Sequence, residues 1–142
     1  MPILQGMQTI TGQRRTSVFL VEDSAAIRAR LAGRLRTFEH VDIVGEAESA
    51  PAAVIGILVA HPDAVLLDIH LAEGTGLDVL RQIHARAPAT TFIVLTNQPD
   101  ERYRKLYLDA GAAYFLDKSN EFDHAVQLVA DRTARSSAHL QS

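Results

Sequence analysis

The sequence contains no cysteine among its 142 residues. Disulfide bonds, thiolate metal sites and cysteine nucleophiles are therefore excluded. No apolar run reaches the roughly 18–20 residues that a membrane-spanning helix needs. The first 17 residues are polar and lack the apolar core of a secretion signal. Together these absences predict a cytoplasmic protein without a membrane segment.

The sequence also lacks a run of lysine or arginine, and its formal net charge is −3. Both features argue against a surface that binds nucleic acid. Hydrophobic residues make up 47% and charged residues 22% of the chain, which is typical of a globular protein. At this length we expect one domain with a single core.

Short aliphatic runs alternate with amphipathic segments from Thr16 onward. The runs predict five strands, at residues 18–21, 41–47, 64–68, 91–96 and 113–117. Because a helical pattern follows each strand, we predict an α/β fold, a doubly wound five-stranded parallel sheet with helices on both faces. Residues 1–16 are predicted to be a flexible N-terminal extension, 17–132 the domain and 133–142 a polar C-terminal tail.

Carboxylates follow two of the predicted strands at the point where each strand ends. Glu22 and Asp23 end the first run, and Asp68 ends the third. The carboxyl ends of parallel strands lie at one edge of the sheet, where such folds bind ligands. Three acids held this close repel each other unless a proton or a divalent cation intervenes, and oxygen ligands suit Mg²⁺.

A hydroxyl and an ammonium are predicted at the same edge. Thr96 ends the fourth strand, and Lys118 follows the fifth. A carboxylate in such a setting can attack phosphorus and form an acyl phosphate. The metal and the lysine would neutralise the charge on the transferred phosphoryl group, so the set favours phosphoryl transfer.

With these residues in order, the chain resembles the receiver domain of two-component response regulators, from about Ser17 to Val129. The resemblance rests on six segments in the correct order and spacing: VED at 21–23, LLDI at 66–69, GLDVL at 76–80, IVLT at 93–96, GA at 111–112 and FLDK at 115–118.

The resemblance implies the roles of the acids. Asp68 would be the phosphoacceptor and a metal ligand, Asp23 a direct ligand of Mg²⁺, and Glu22 a ligand that acts partly through water. The backbone carbonyl of His70 would complete the protein ligands. The phosphoryl donor would be a histidine kinase or a histidine phosphotransfer protein.

The resemblance also implies a switch. Thr96 would be the switch hydroxyl, Lys118 the ammonium that binds phosphate, and Phe115 the aromatic switch residue. A downstream protein target would receive the signal, and phosphorylation could drive a homodimer. Too few residues follow Arg132 for a DNA-binding domain, so output would pass through protein partners unless the chain is part of a longer regulator.

Other interpretations stay open at this point. Ala72 and Asn97 depart from the family pattern, which leaves room for a degenerate receiver that serves as a docking module. A phosphohydrolase with an aspartyl nucleophile would want a second Asp where His70 stands. Phe115 could be a core residue only. Three tyrosines, at positions 103, 107 and 114, are interpreted as a partner surface rather than as half-buried fillers.

Overall fold

The computed structural model describes residues 15–141, and side chains as far as residue 132. Five strands form one parallel sheet in the order β2-β1-β3-β4-β5. This confirms the predicted doubly wound fold. The strands are β1 Thr16–Val21, β2 Val41–Ala47, β3 Ala64–Leu67, β4 Thr91–Thr96 and β5 Tyr114–Asp117, and the helices are α1 Ala25–Leu35, α2 Ala50–Ala60, α3 Gly76–Ile83, α4 Glu101–Asp109 and α5 Phe122–Gln141.

The helices cover the sheet on both faces. Helices α1 and α5 pack on one face, around Leu20, Leu66 and Leu95. Helices α2, α3 and α4 pack on the other, around Leu67 and Val94. All four residues of β3 are buried, since that strand lies in the middle of the sheet with helices above and below it.

Side-chain caps begin the helices at the carboxyl edge of the sheet. The Ser24 hydroxyl accepts a hydrogen bond from the Ile27 backbone N–H at the start of α1 (3.2 Å). Thr75 and Asp78 form a capping box at the start of α3. Each cap accepts hydrogen bonds from free N–H groups of the first turn and so stabilises the start of its helix. These starts lie shortly after the acids in the sequence.

The contact between β2 and α2 depends on two glycines. The Phe19 ring of β1 lies between Gly45 on β2 and Gly56 on α2. A Cβ atom at Gly45 would lie 2.4 Å from the ring, and one at Gly56 would lie 2.5 Å from it. The pairing of β1 with β2 also shifts register next to Phe19, where Val18 pairs with Ile43 but Phe19 with Gly45.

The first strand and the last helix extend beyond their predicted bounds. β1 begins at Thr16, inside the segment predicted as an extension, because the Thr16 N–H donates to the His40 carbonyl (2.8 Å) and Arg15 pairs with Asp42 (2.7 Å). The backbone of α5 is helical as far as Gln141, where a tail was predicted, and residues 133–141 contain no Pro or Gly to end it. The rest of the predicted extension, residues 1–14, lies outside the described residues.

Within the described part of the chain, no helix has the length and apolar character needed to cross a membrane.

Candidate functional site

The register of the sheet places the predicted site residues at one edge. Val21 pairs with Leu67, so Glu22 and Asp68 leave the ends of neighbouring strands together. β4 lies beside β3 and ends at Thr96, and Thr96 pairs with Asp117, the residue before Lys118. The short aliphatic strands therefore end at four polar residues on adjacent strands.

The three predicted acids form one cluster. One carboxylate oxygen from each of Glu22, Asp23 and Asp68 lies within 4.8 Å of the others. Glu22 is 3% exposed and Asp68 is 9% exposed, whereas Asp23 is open to solvent. Hard oxygen donors at this spacing, with one side open, suit Mg²⁺, which keeps several of its own waters. The donor set therefore fits the predicted ion.

Lys118 joins two of these acids. Its ammonium donates to Glu22 Oε1 (2.7 Å) and to Asp68 Oδ2 (3.1 Å), and it is buried with them. The other oxygen of Asp68 accepts from the Ile69 backbone N–H (2.7 Å), and the other oxygen of Glu22 accepts from the Ser24 N–H (3.0 Å). Both buried carboxylates are thus held in fixed orientations.

Burial and an excess of negative charge control protonation in this cluster. Burial raises the pKa of Glu22, and the charge of Asp68 adds to this effect, although hydrogen bonds from Lys118 and Ser24 oppose it. Burial alone would lower the pKa of Lys118, but Glu22 and Asp68 outweigh it, so this pKa is also raised. Both shifts favour the protonated forms, for Glu22 chiefly because it is buried and for Lys118 because two acids face it. The cluster therefore attracts positive charge.

Thr96 is completely buried at the end of β4. Its hydroxyl oxygen accepts a hydrogen bond from the Gln98 backbone N–H (3.1 Å). The side chain of Gln98 in turn contacts His70, with 2.7 Å between Oε1 and Nε2. The loops after β3 and β4 are therefore linked beside the cluster. Sequence reasoning missed Gln98, because a lone glutamine in a loop carries no pattern.

His70 lies two residues after Asp68, and its side chain is exposed. Its imidazole Nε2 contacts Gln98 Oε1, and the position offers no second carboxylate beside Asp68. The predicted role of its backbone carbonyl as a metal ligand stays a prediction.

Phe115 is 4% exposed and belongs to the core beneath α4. Its ring contacts the Tyr107 ring, with centroids 5.9 Å apart. Its carbonyl accepts from Arg104 (3.1 Å), which ties β5 to α4. A switching role for Phe115 stays a prediction, and in this structure the ring is already directed inward.

Tyr107 is a buried tyrosine, so the interpretation of all three tyrosines as a partner surface is wrong for this residue. It is 2% exposed, and its hydroxyl accepts from the Leu77 backbone N–H at the start of α3 (3.0 Å). Burial raises the pKa of Tyr107 to about 12. The helical spacing of apolar residues in α4 could have predicted that Tyr107 is buried. No sequence pattern could have predicted its hydrogen bond to α3.

Comparison with known proteins identifies the family of the chain. Residues 18–130 match the family model of the response regulator receiver domain. The chain is 32% identical over 101 residues to the DNA-binding transcriptional activator DevR/DosR of Mycobacterium tuberculosis, covering 71% of this chain and 46% of that protein. It is 35% identical over 106 residues to protein-glutamate methylesterase/protein-glutamine glutaminase 2 of Cereibacter sphaeroides, covering 73% of this chain and 29% of that protein. The chain therefore spans less than half the length of these two relatives.

Solved structures show the same architecture. The signal receiver domain of the putative response regulator NarL from Mycobacterium tuberculosis is similar with a TM-score of 0.78 and 25% identity, over 85% of this chain and 98% of that one. The response regulator domain of Thermotoga maritima CheB is similar in fold, with a TM-score of 0.75 and 22% identity over 86% and 96% of the two chains.

Proposed function

Because the chain belongs to the response regulator receiver domain family, we propose that it is a phosphoacceptor switch in which Asp68 receives the phosphoryl group. The observation that carries this proposal is the contact of Lys118 with both Glu22 and Asp68 at the edge of the sheet. One buried carboxylate between an ammonium and two further acids is the arrangement that phosphoryl transfer to an aspartate needs.

Glu22, Asp23 and Asp68 would hold Mg²⁺, together with the backbone carbonyl of His70. Bound there, the ion would neutralise charge on the oxygens of the transferred phosphoryl group. The support for this part is the oxygen-only donor set and the negative charge that Lys118 leaves unbalanced.

The transfer itself would use the fixed carboxylate of Asp68. An oxygen of Asp68 attacks the phosphorus of a phosphohistidine on the donor protein; the new O–P bond forms as the P–N bond breaks. The leaving imidazole keeps the electron pair of that bond and takes up a proton. The Ile69 N–H holds Asp68 in position before the reaction. Afterwards Lys118 binds an oxygen of the phosphoryl group.

The signal would then pass through β4. In this structure the Thr96 hydroxyl accepts from the Gln98 N–H. When the phosphoryl group arrives, the Thr96 hydroxyl donates a hydrogen bond to a phosphoryl oxygen, and the loop after β4 moves with it. The face that contains α4 and Phe115 repacks in consequence and shifts a two-state equilibrium. We expect only phosphoryl transfer to the chain's own Asp68 and the later loss of that group by autodephosphorylation, so the chain acts as a regulator rather than as an enzyme.

The partners follow from this proposal. A histidine kinase or a histidine phosphotransfer protein donates the phosphoryl group, and a downstream protein reads the new surface. One relative is named as a DNA-binding activator and another as a methylesterase, so receivers of this kind occur with different outputs. We propose no contact of this chain with nucleic acid, and a cytoplasmic location stays a prediction.

The test is exposure to acetyl phosphate or beryllofluoride with and without Mg²⁺, followed by intact-mass analysis and NMR. We expect a Mg²⁺-dependent adduct on the wild type and none on Asp68→Asn. Asp109→Asn, which removes an exposed carboxylate on α4, is the matched control and should react like the wild type. If the wild type forms no Mg²⁺-dependent adduct, the proposal is contradicted, and the alternative of a degenerate receiver that serves as a docking module is favoured. Steady release of phosphate from unrelated monoesters would indicate a hydrolase instead.

A further inference from the structure

Helix α2 carries no polar side chain along its whole length. Its sequence, APAAVIGILVA, contains only Ala, Pro, Val, Ile, Gly and Leu. Every other helix of the described chain carries charged residues. A helix that is apolar all around is normally covered on all sides.

Only one side of α2 is covered. Ala53 and Ile57 on its inner side belong to the core. On its outer side, Ile55 is 66% exposed and Val59 is 76% exposed, the highest values among the large apolar residues of the described chain. We name the exposed outer residues the α2 stripe: Pro51, Ala52, Ile55 and Val59.

We propose that the α2 stripe binds the α2 stripe of a second copy of this chain, in an antiparallel helix pair around a two-fold axis. The stripe is centred on Ile55, which is the middle residue of Ala50–Ala60. A two-fold axis through the helix centre places Ile55 against Ile55 of the second copy and Val59 against Pro51 of the second copy. A symmetric interface needs a surface that complements itself, and a stripe without charge meets that condition.

The acidic residues at one end of α2 support the antiparallel direction. Glu48 and Glu73 lie at its N-terminal end, where the Ala50 N–H donates to the Glu73 carbonyl (2.8 Å). His61 lies at its C-terminal end. In an antiparallel pair the acidic N-terminal ends of the two helices lie far apart, and the helix dipoles oppose each other favourably. A parallel pair would place the acids of both copies together.

The neighbouring strand edge is a poorer surface for the same purpose. β2 lies at the edge of the sheet and exposes Val44. Pairing two β2 edges antiparallel about Val44 would set Asp42 of one copy opposite Glu46 of the other, and like charges in that position repel. The register shift beside Val44 also interrupts the edge. The helix face is therefore the better interface.

The size of the stripe sets the strength of the dimer. A helix of 11 residues is about 16 Å long, so one such face covers less than half of the roughly 800 Å² per partner found in stable complexes. We therefore expect a weak dimer that forms with rising concentration and without phosphorylation. This inference does not rest on the proposed function of Asp68.

A cysteine introduced at the axis gives a direct test. The chain has no native cysteine, so Ile55→Cys can form a disulfide only with another copy. We expect rapid covalent dimerisation of Ile55→Cys under mild oxidation at high protein concentration. Leu106→Cys on α4, an exposed apolar residue outside the stripe, is the matched control and should remain mostly monomeric. Equal cross-linking of the two variants would overturn the proposal.

Sedimentation equilibrium of charged variants gives a second test. Ile55→Glu and Ile55→Lys should each remain monomeric where the wild type associates, because like charges meet at the axis. Mixing the two variants should restore association, since opposite charges then meet. A wild type that is monomeric at every concentration, or a mixture that stays monomeric, would overturn the second-copy interface. Circular dichroism of each variant confirms that the fold is intact.

Discussion

The hydroxyl of Tyr107 has two measurable effects on stability, which act in different pH ranges. It accepts a hydrogen bond from the Leu77 N–H in the core (3.0 Å), and its pKa is raised to about 12 by burial. The variant Tyr107→Phe keeps the ring and removes only the hydroxyl. It therefore separates the hydrogen bond from the titration.

At neutral pH the variant loses stability. The Leu77 N–H is left without its acceptor, and an unpaired buried donor costs about 1–3 kcal/mol. We expect the free energy of unfolding to fall by about 2 kcal/mol near pH 7, at the centre of that range.

As the pH rises above 10, the free energy of unfolding falls less for the variant than for the wild type. The folded pKa of Tyr107 lies above that of the unfolded chain, about 12 against the ordinary 10.0. The contribution of the neutral phenol is therefore fully present below pH 10 and is lost as the pH rises through 12. Linkage for these two values gives a loss of about 1.4 kcal/mol at pH 11. Groups such as Lys118 titrate in both proteins and cancel from the difference.

Urea unfolding of both proteins at several values between neutral pH and about pH 11 measures these effects. The stability difference should narrow by about 1.4 kcal/mol over this range. Phenolate absorbance of the folded wild type should include a component that appears only near pH 12, and the variant should lack that component. Parallel stability curves with no late-titrating tyrosine would refute the reasoning.

Two further predictions concern the acid cluster and the β2–α2 contact. Lys118→Met leaves Glu22 and Asp68 buried without their cation, which should cost about 3 kcal/mol. Mg²⁺ should raise the melting temperature of this variant more than that of the wild type, and an equal shift would contradict the role of Lys118 as the internal counter-charge. Gly45→Ala should lower stability by about 1–3 kcal/mol because its Cβ meets the Phe19 ring. At Gly33 on α1 an added Cβ would have no atom within 4 Å, so Gly33→Ala should instead raise stability by about 0.5–1 kcal/mol. Urea unfolding of both variants measures the two changes.

The sheet and the acid cluster could be predicted because both depend on short-range signals. Aliphatic runs predict buried parallel strands, and a polar residue at the end of each run reaches the same edge of the sheet. Glu22, Asp68, Thr96 and Lys118 all lie at strand ends, so their meeting needed only the correct topology. The structure confirms that they share one edge.

The remaining features depend on distances between elements that no local pattern encodes. The link between His70 and Gln98 joins two loops, and the bond from Leu77 to Tyr107 joins two helices. The exposure of Ile55 was equally hidden, since an apolar helix next to a sheet predicts burial on its own. In each case the decisive fact is which surfaces meet in three dimensions.

The Phe19 ring fills one space that β1, β2 and α2 share. Gly45 and Gly56 have no side chains there, so the size of residue 19 fixes what the other two positions can be. The three positions therefore share one volume, and the side chain at one position limits what fits at the other two. A smaller residue at position 19 would release both glycines, and a larger residue at either glycine would first require a smaller one at position 19.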